Sequence, residues 1–165
     1  MQSQSSYLAT LFLEDISDYI RETVSPHFDL VRYAEHLAAF APSFDGLEAE
    51  IEVQPSVTDC LMLDILKKRV EECNPDVVGF SVPFPGCLYA ALRCGKFLKE
   101  KFSEVKIVLG GGFPNTELRS LKDSRIFKYV DFITLDDGEL PLLRICELVA
   151  GRGEQSCKNL LSEGE

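Results

Sequence analysis

The sequence predicts an α/β domain of the Rossmann-like (flavodoxin-like) kind, in which a parallel sheet is flanked by helices. Two short apolar runs, residues 77–82 and 105–109, end abruptly at Pro83 and Gly110, which do not continue a strand well. The segment between them has apolar residues at helical spacing. Two buried strands joined by a helix form a βαβ unit, and this unit requires a parallel sheet with helices on its faces. A third apolar run, residues 130–135, predicts another strand.

The size and charge of the chain limit its function classes. It has 165 residues, the length of one domain. Its net charge of −10 argues against a nucleic-acid or anionic-membrane partner, because binding to phosphates requires clustered Lys and Arg. The sequence contains no apolar run long enough for a transmembrane helix, and no signal peptide is expected from its N-terminus.

The cysteines predict a reducing, cytoplasmic environment. None of them forms a spacing typical of zinc or iron–sulfur ligands. Three of them, Cys73, Cys94 and Cys146, lie in otherwise apolar helical stripes and are expected to be buried free thiols. The full set is Cys60, Cys73, Cys87, Cys94, Cys146 and Cys157.

Residues 1–55 are predicted to be a helical lead-in. Apolar residues recur at helical spacing from Leu8 to Ile20, although residues 7–13 alone could form a short strand. The helical pattern returns over residues 28–41. Residues 47–53 alternate as an edge strand would, or they form a helix; the helix is favoured because Ala and Glu are poor strand formers.

Residues 56–151 are predicted to be the α/β domain, and residues 152–165 a polar linker or tail. Ser56 and Asp59 resemble a capping box that opens a helix to about Glu72. Gly95, within the crossover helix, indicates a close approach of that helix to the sheet. The inward-facing residues predicted for the first and last helices of this domain are Met62, Ile65, Leu66, Val70, Cys73, Leu142, Ile145, Cys146 and Val149.

Three loops should meet at one edge of the sheet, because they follow the carboxyl ends of parallel strands. Ligands of α/β proteins bind outside these strand ends. These loops are residues 81–86, 110–115 and 136–139. The absence of side chains at Gly110, Gly111 and Gly112 lets a ligand lie against the backbone, where N–H groups suit an anion. A tight turn without a ligand is the alternative. The run is not the GxGxxG of nicotinamide-binding proteins.

Polar and aromatic side chains in these loops are the candidate binding groups. Ser81, at the tip of an apolar strand, could donate to a ligand or bond to nearby backbone. Pro83 stiffens the loop in which Phe84 presents an aromatic face, and Asn115 is expected to cap a short helix over residues 116–122. Three carboxylates could hold Mg²⁺ or a basic or hydroxylated group, or could complement a helix dipole: Asp136, Asp137 and Glu139.

The segments PDVVGFSVPFPG, VLGGGFPNTELRSL and YVDFITLDDGELPLL together resemble a known family. It is the N-terminal cobalamin (B12)-binding-like domain of radical S-adenosylmethionine (radical SAM) proteins of the B12-binding class, of the Fe–S oxidoreductase type. The resemblance covers residues 8–150 and implies a doubly wound, five-stranded parallel sheet. It implies that Ser81, Gly138 and Glu139 lie near the nucleotide tail of cobalamin, and that Gly110 and Gly111 line its slot. The cofactor-binding residues predicted in this way are Ser81, Pro83, Phe84, Gly110, Gly111, Gly112, Asn115, Asp136, Gly138 and Glu139.

The chain departs from the family in three respects. It has no Asp-x-His-x-x-Gly loop, so cobalamin would bind base-off without a His ligand from this chain. It has no C-x3-C-x2-C motif, so the [4Fe–4S] cluster and S-adenosylmethionine would belong to a downstream radical SAM barrel, which is the expected partner domain. Only three strands are secure, and the first strands of the family would lie upstream of Met1. A sheet opened in this way has an unpaired edge that invites a homodimer.

The sequence therefore predicts a binding module of a radical SAM enzyme, with a corrinoid or similar small molecule as ligand and no catalysis of its own. One alternative is a scaffold or dimerisation domain without a cofactor. The other is a small metal-dependent enzyme that uses Asp136, Asp137 and Glu139, whose stability divalent metal would raise.

Overall fold

A computed structural model describes residues 4–24, 44–84, 86–119, 123–152 and 160–162 of the chain. The helix predicted over residues 28–41 lies outside the described residues. In the lead-in, α1 spans Gln4–Thr23 and α2 spans Phe44–Glu52. Both ambiguous segments, residues 7–13 and 47–53, are thus mainly helical, as the sequence favoured. The large apolar side chains of α1 are mostly exposed, with Phe12 at 65 %.

The elements predicted for the α/β part of the chain occur in the predicted order, and a 3-10 helix and a fourth strand are added to them. The elements of this part are α3 (Val57–Cys73), β1 (Val77–Ser81), α4 (Gly86–Lys101), β2 (Lys106–Gly110), a π-helical turn (Pro114–Leu118), a 3-10 helix (Ser124–Lys128), β3 (Phe132–Thr134), α5 (Glu139–Val149) and β4 (Leu160–Ser162). The chain is a mixed α/β protein with a small, open sheet of three parallel strands flanked by helices. None of the described helices is long and apolar enough to cross a membrane.

The capping box is confirmed at the start of α3. The backbone N–H of Asp59 donates to the Ser56 hydroxyl at 3.1 Å, and the Asp59 carboxylate accepts from the Ser56 backbone N–H at 2.9 Å. These bonds satisfy donors that the first turn of a helix otherwise leaves without partners. At the other end, Asn74 adopts the left-handed conformation that ends the helix before Pro75.

The sheet has the order β1-β2-β3-β4. β1 and β2 are parallel from Val77 opposite Lys106 to Ser81 opposite Gly110, and β3 is parallel to β2. β4 pairs antiparallel with β3 in a region that the sequence predicts to be a tail. Its sequence signal is two leucines within a polar stretch, which is too short for a periodic pattern, so the pairing with β3 determines this strand.

Alternate residues of the strands pack on the two faces of the sheet. Ile107 and Leu109 face the main core, which α2, α3 and α4 cover. Val108 and Phe132 face a smaller cluster, which Ile145 of α5 completes. The period-two alternation of the strands therefore separates two layers of helices.

The outer face of β1 lies open. Gly79 and Ser81 are exposed, and a Cβ atom on Gly79 would meet nothing within 4 Å. Within the described ranges β1 pairs with β2 alone, so its other edge has no strand partner there. The sequence predicts an unpaired edge without assigning it to a strand, and among the described residues β1 has such an edge.

Four of the predicted inward-facing residues are instead exposed. Ile65 of α3 is 65 % exposed and Leu142 of α5 is 44 % exposed, and the thiols of Cys73 and Cys146 also face outward. Both helices carry apolar residues on more than one side, so periodicity alone did not identify the buried side. By contrast, the prediction of a buried position is confirmed for Val70 and Ile145.

Gly95 does mark a close approach, but its neighbour is not a strand. A Cβ atom at this position would lie 2.3 Å from the backbone oxygen of Tyr129. Tyr129 lies in the turn before β3 and is itself almost fully buried. The glycine therefore allows α4 to pack directly on the backbone of that turn.

Candidate functional site

The three predicted loops meet at one rim of the sheet, at the carboxyl ends of β1, β2 and β3. The register fixes this arrangement, because Ser81 at the end of β1 lies opposite Gly110 at the end of β2. Residues 136–139 follow β3, which is parallel to β2 and adjacent to it. Parallel neighbouring strands necessarily bring their following loops together.

The loops after β1 and β2 are joined through Val82, which is fully buried. Its N–H donates to the Gly110 oxygen at 2.7 Å, and its oxygen accepts from the Phe113 N–H at 3.0 Å. Gly111 lies between these two bonds, with φ at +110°. A Cβ atom on Gly111 would be 2.9 Å from both the nitrogen and the oxygen of Val82. The chain's own backbone thus requires a glycine here, both for the torsion angle and for the space.

Gly110, the first glycine of the run, lies against Thr134, which was not among the residues predicted for this site. A Cβ atom on Gly110 would lie 2.5 Å from the Thr134 hydroxyl oxygen. This hydroxyl is buried and donates to the Leu109 oxygen at 3.4 Å. Thr134 is the one hydroxyl in the apolar strand β3, a signal like that of Ser81 in β1. It fills the space between the β2 and β3 loops.

Asn115 bridges the loops after β2 and β3. Its side-chain amide nitrogen donates to the backbone oxygen of Asp136 at 2.9 Å, and its side-chain oxygen accepts from the backbone N–H of Asp136. The predicted capping role is wrong, because the helical segment already begins at Gly112 and Asn115 lies inside it. The side chain instead satisfies the backbone of Asp136, which adopts a positive φ of 59°.

Arg119 completes this bridge and was also missed from the sequence. Its guanidinium forms an ion pair with the Asp136 carboxylate, and its Nε donates to the backbone oxygen of Asn115 at 3.2 Å. The spacing of four residues between Asn115 and Arg119 within one helical turn is the signal that could have indicated it. Asp136 is therefore paired within the chain.

The carboxylates at residues 136–139 do not converge on one point that a metal ion would occupy. Asp137 and Glu139 are exposed, and Gly138 between them adopts a left-handed φ of 76° that starts α5. Across the described ranges, no group of three or more His, Cys, Asp or Glu side chains is arranged to hold a metal ion. Glu139 lies in the first turn of α5, where a carboxylate complements the helix dipole.

The outward side of the rim remains open to a ligand. Ser81, Pro83 and Gly112 are exposed, and Phe84 is 38 % exposed. Within the described residues, no hydrogen bond involves the Ser81 hydroxyl. A Cβ atom on Gly112 would come no closer than 3.4 Å to the nearest atom, the Pro83 oxygen. These groups offer a hydroxyl, an aromatic face and accessible backbone, which suit non-covalent binding rather than bond-breaking chemistry.

The fit to a corrinoid is partial. Gly110 and Gly111, which the resemblance assigns to the slot for the nucleotide tail, face Thr134 and Val82 of the chain itself. Ser81 and Gly112 are exposed at the rim, and the Phe84 ring beside them is partly exposed. Both histidines of the chain, His27 and His36, lie outside the described residues.

Comparison with known proteins gives no match for this chain to a family model, a curated protein or a solved structure.

Proposed function

We propose that this chain is a non-catalytic binding module whose ligand is a corrinoid or a similar flat cofactor, held over the rim formed by the loops after β1, β2 and β3. The module would serve a radical SAM enzyme whose barrel lies in a further domain. Cobalamin supplies methyl-transfer or radical chemistry when it is bound. The residues of this rim would bind and orient the cofactor through a hydroxyl, an aromatic ring and exposed backbone.

The observation that carries this proposal is the juxtaposition of Ser81 and the glycine run at one rim. The rim combines an exposed hydroxyl, the aromatic ring of Phe84 and the exposed backbone of Gly112. Gly110 and Gly111 pack against Thr134 and Val82 of the chain itself, so the ligand would rest on the loops rather than enter between them. The rim outside the carboxyl ends of the strands is a usual ligand position in α/β sheets.

The direct test is titration of the chain with hydroxocobalamin and with methylcobalamin while the corrinoid absorbance spectrum is recorded. Binding at micromolar concentrations with a base-off spectrum supports the proposal. If the spectrum does not change even at high protein concentration, the proposal is wrong.

A pair of serine variants tests where the ligand lies. Ser81→Val removes the hydroxyl and adds bulk at the end of β1, where a β-branched residue is tolerated. Ser103→Val is the matched control, because Ser103 is exposed in the turn between α4 and β2, at the opposite rim. We expect Ser81→Val to weaken cobalamin binding and Ser103→Val to leave it unchanged. Equal affinities for the two variants would refute the proposed position.

A scaffold or dimerisation domain is the second candidate, and the open edge of β1 favours it. Within the described residues β1 pairs with β2 alone, so its other edge has no strand partner there. This candidate predicts a dimer whose population rises with protein concentration and which does not bind cobalamin. Sedimentation of the parent chain and of Gly79→Lys tests it, since a lysine on an edge strand opposes strand pairing.

A small metal-dependent enzyme has less support. Asp136 is paired with Arg119, and the described carboxylates form no group that could hold a metal ion. Thermal unfolding with and without Mg²⁺ checks this candidate, because a metal that binds the folded state must raise the midpoint temperature.

A further inference from the structure

The helix α2 lies on a basic face of the α/β part of the chain. This face presents four cationic side chains, Arg93 and Lys96 from α4 and Arg125 and Lys128 from the 3-10 helix. Each of the four contacts an acceptor on α2. The chain as a whole has a net charge of −10, so a cluster of cations is a distinctive surface on this protein.

Glu48 lies at the centre of this contact. Its carboxylate accepts from Arg125 at 2.6 Å and from Lys128 at 2.5 Å, and the side chain is only 18 % exposed. Glu52, four residues further on, lies on the same side of the helix and accepts from Lys96 at 2.5 Å. These two carboxylates of α2 are therefore paired with cations of the α/β part.

Both ends of α2 are held in a similar way. At the start of the helix, Arg125 pairs with Asp45 at 2.7 Å and lies over the ring of Phe44. At the other end, Arg93 donates to the backbone oxygen of Ile51, one of the carbonyl groups that a helix C-terminus leaves without an intrahelical partner. Cations at this end also complement the helix dipole. The docking of α2 thus uses charge along its whole length.

The apolar contribution to this docking centres on one residue. Among the apolar residues of α2, Ile51 is fully buried, whereas Phe44 and Leu47 are only partly buried against the main core. A helix of nine residues is not stable in water by itself, so α2 keeps its structure only while it is docked. Ion pairs near a surface are weak and are screened by salt, so they release a short helix more readily than a core does.

The connection after α2 permits the helix to leave this face. Residues 53–55 have no helix or strand, and α3 begins at its own capping box on Ser56. The sheet is built from β1 to β4 without a strand from α2 or its linker. Undocking of α2 therefore leaves the backbone hydrogen bonds of the sheet, α3 and α4 in place.

We propose that α2 is a strap held by charge over the basic face, and that an acidic helical segment of a partner protein can replace it there. The strap leaves the face as a unit while the sheet, α3 and α4 stay folded. The exposed face then accepts a helix with two carboxylates four residues apart and an apolar residue beside them, as α2 has in Glu48, Glu52 and Ile51. This inference does not depend on corrinoid binding at the rim.

Amide hydrogen exchange of the full chain, followed by NMR, tests the release of the strap. We expect the Ile51 amide to exchange at least about tenfold faster than the amide of Leu92, which is fully buried in α4, because α2 opens without global unfolding. Raising the NaCl concentration from about 50 mM to about 500 mM should accelerate exchange at Ile51 by about tenfold, since salt screens the ion pairs. Equal exchange rates at Ile51 and Leu92 would mean that α2 opens only with the whole protein, and the proposal would be wrong.

A pair of variants separates release of the strap from loss of global stability. Glu48→Gln removes the central carboxylate, and we expect it to accelerate exchange at Ile51 by about tenfold. Ile145→Val is the control, because Ile145 is buried in the smaller cluster on the other face of the sheet and its truncation lowers global stability. It should accelerate exchange at Leu92 and leave exchange at Ile51 unchanged. Equal acceleration of exchange at Ile51 in the two variants would overturn the proposal.

A synthetic peptide of residues 44–52 with blocked ends is the probe for the basic face. The control is the same peptide carrying Glu48→Gln and Glu52→Gln. We expect the acidic peptide to shift the NMR signals of Lys96, Arg125 and Lys128. It should bind the Glu48→Gln chain about tenfold more tightly than the parent, because the apparent affinity rises with the fraction of chains whose strap is released.

The control peptide should bind the Glu48→Gln chain at least about tenfold more weakly than the acidic peptide, because it lacks the two carboxylates. If the two peptides bind alike, charge does not select the helix. If the acidic peptide shifts none of these signals in the Glu48→Gln chain, the basic face does not accept a second helix. Either result refutes the proposal.

Discussion

The side chain of Asn115 pairs with the backbone of Asp136 through two hydrogen bonds, one of them 2.9 Å long. This amide bridges the loops after β2 and β3, and Arg119 reinforces it through an ion pair with the Asp136 carboxylate. The bridge holds Asp136 in a left-handed conformation that a residue other than glycine seldom adopts. These contacts therefore join the loops after β2 and β3 without a ligand.

Replacing Asn115 with alanine should destabilise the protein by about 1–2 kcal/mol, because both hydrogen bonds to Asp136 are lost. Urea unfolding measures the change, and faster hydrogen exchange at the Asp136 amide locates it. The neighbouring exposed Thr116 provides the control, since its hydroxyl makes only long bonds of 3.3 and 3.4 Å within its own turn. If Asn115→Ala and Thr116→Ala have the same effect, the bridge contributes nothing to stability.

Alanine at the second and third glycines of the run should have very different effects. Gly111→Ala should cost about 2–4 kcal/mol, because it combines an unfavourable φ with overlap against Val82. Gly112→Ala should stay within about 0.5 kcal/mol, as for an ordinary surface substitution. Urea unfolding of the pair is the measurement. Similar losses for both variants would contradict the packing described for Gly111.

Gly95→Ala should destabilise the protein by about 1–3 kcal/mol, although alanine gains about 1 kcal/mol in helix propensity. The reason is that the added Cβ atom would lie 2.3 Å from the Tyr129 oxygen, so α4 must move away from that turn. Thermal unfolding measures this loss. Gly79→Ala is the control, because its Cβ atom meets nothing within 4 Å, and we expect no destabilisation there.

The protein should lose stability in acid partly through Asp59. Burial alone would raise the pKa of this carboxyl, but hydrogen bonds from the Ser56 backbone and hydroxyl and from Tyr89 outweigh it, so the pKa lies below its ordinary value. The hydrogen bond from Lys96 likewise lowers the pKa of Glu52. Stability from such groups is complete above their unfolded-state pKa, about 4, and is lost as the pH falls through the lower folded-state value.

Asp59→Asn tests this pH dependence. The free energy of unfolding of the variant should be lower than that of the parent at pH 7 and should fall less steeply below about pH 4. Asp64→Asn, at an exposed position of the same helix, should keep the parental slope. An unchanged acid slope in Asp59→Asn would show that this carboxyl is not coupled to folding.

The cysteines should differ sharply in reactivity. Burial, and then the nearby negative charge of Asp59, raise the pKa of the Cys94 thiol to about 11. Because the thiolate is the reactive form, alkylation of Cys94 at pH 8 should be about 100-fold slower than that of an exposed cysteine. Mass spectrometry of partly alkylated protein compares it with Cys60, Cys73 and Cys146, which are exposed. Equal rates in the folded protein would contradict the burial of Cys94.

The order of elements and the location of the rim could be predicted from the sequence because both depend on short-range patterns. β1 and β2 are apolar runs with clear stops, after Ser81 and at the glycine run. The βαβ geometry then brings the ends of these two strands together. The capping box of Ser56 and Asp59 spans only four residues. The preference for a helix in α2 followed from the low strand propensity of its residues.

Only the tertiary structure determines which distant residues contact each other. Asn115 and Asp136 are 21 residues apart, and no local pattern links an amide in one loop to the backbone of another. The same holds for the pairing of β4 with β3, and for the side of α3 that leaves Ile65 exposed. Backbone periodicity is set over a few residues, whereas the partners of a side chain depend on how distant segments pack. This packing of distant segments determines that Gly110 and Gly111 face the protein itself rather than a ligand.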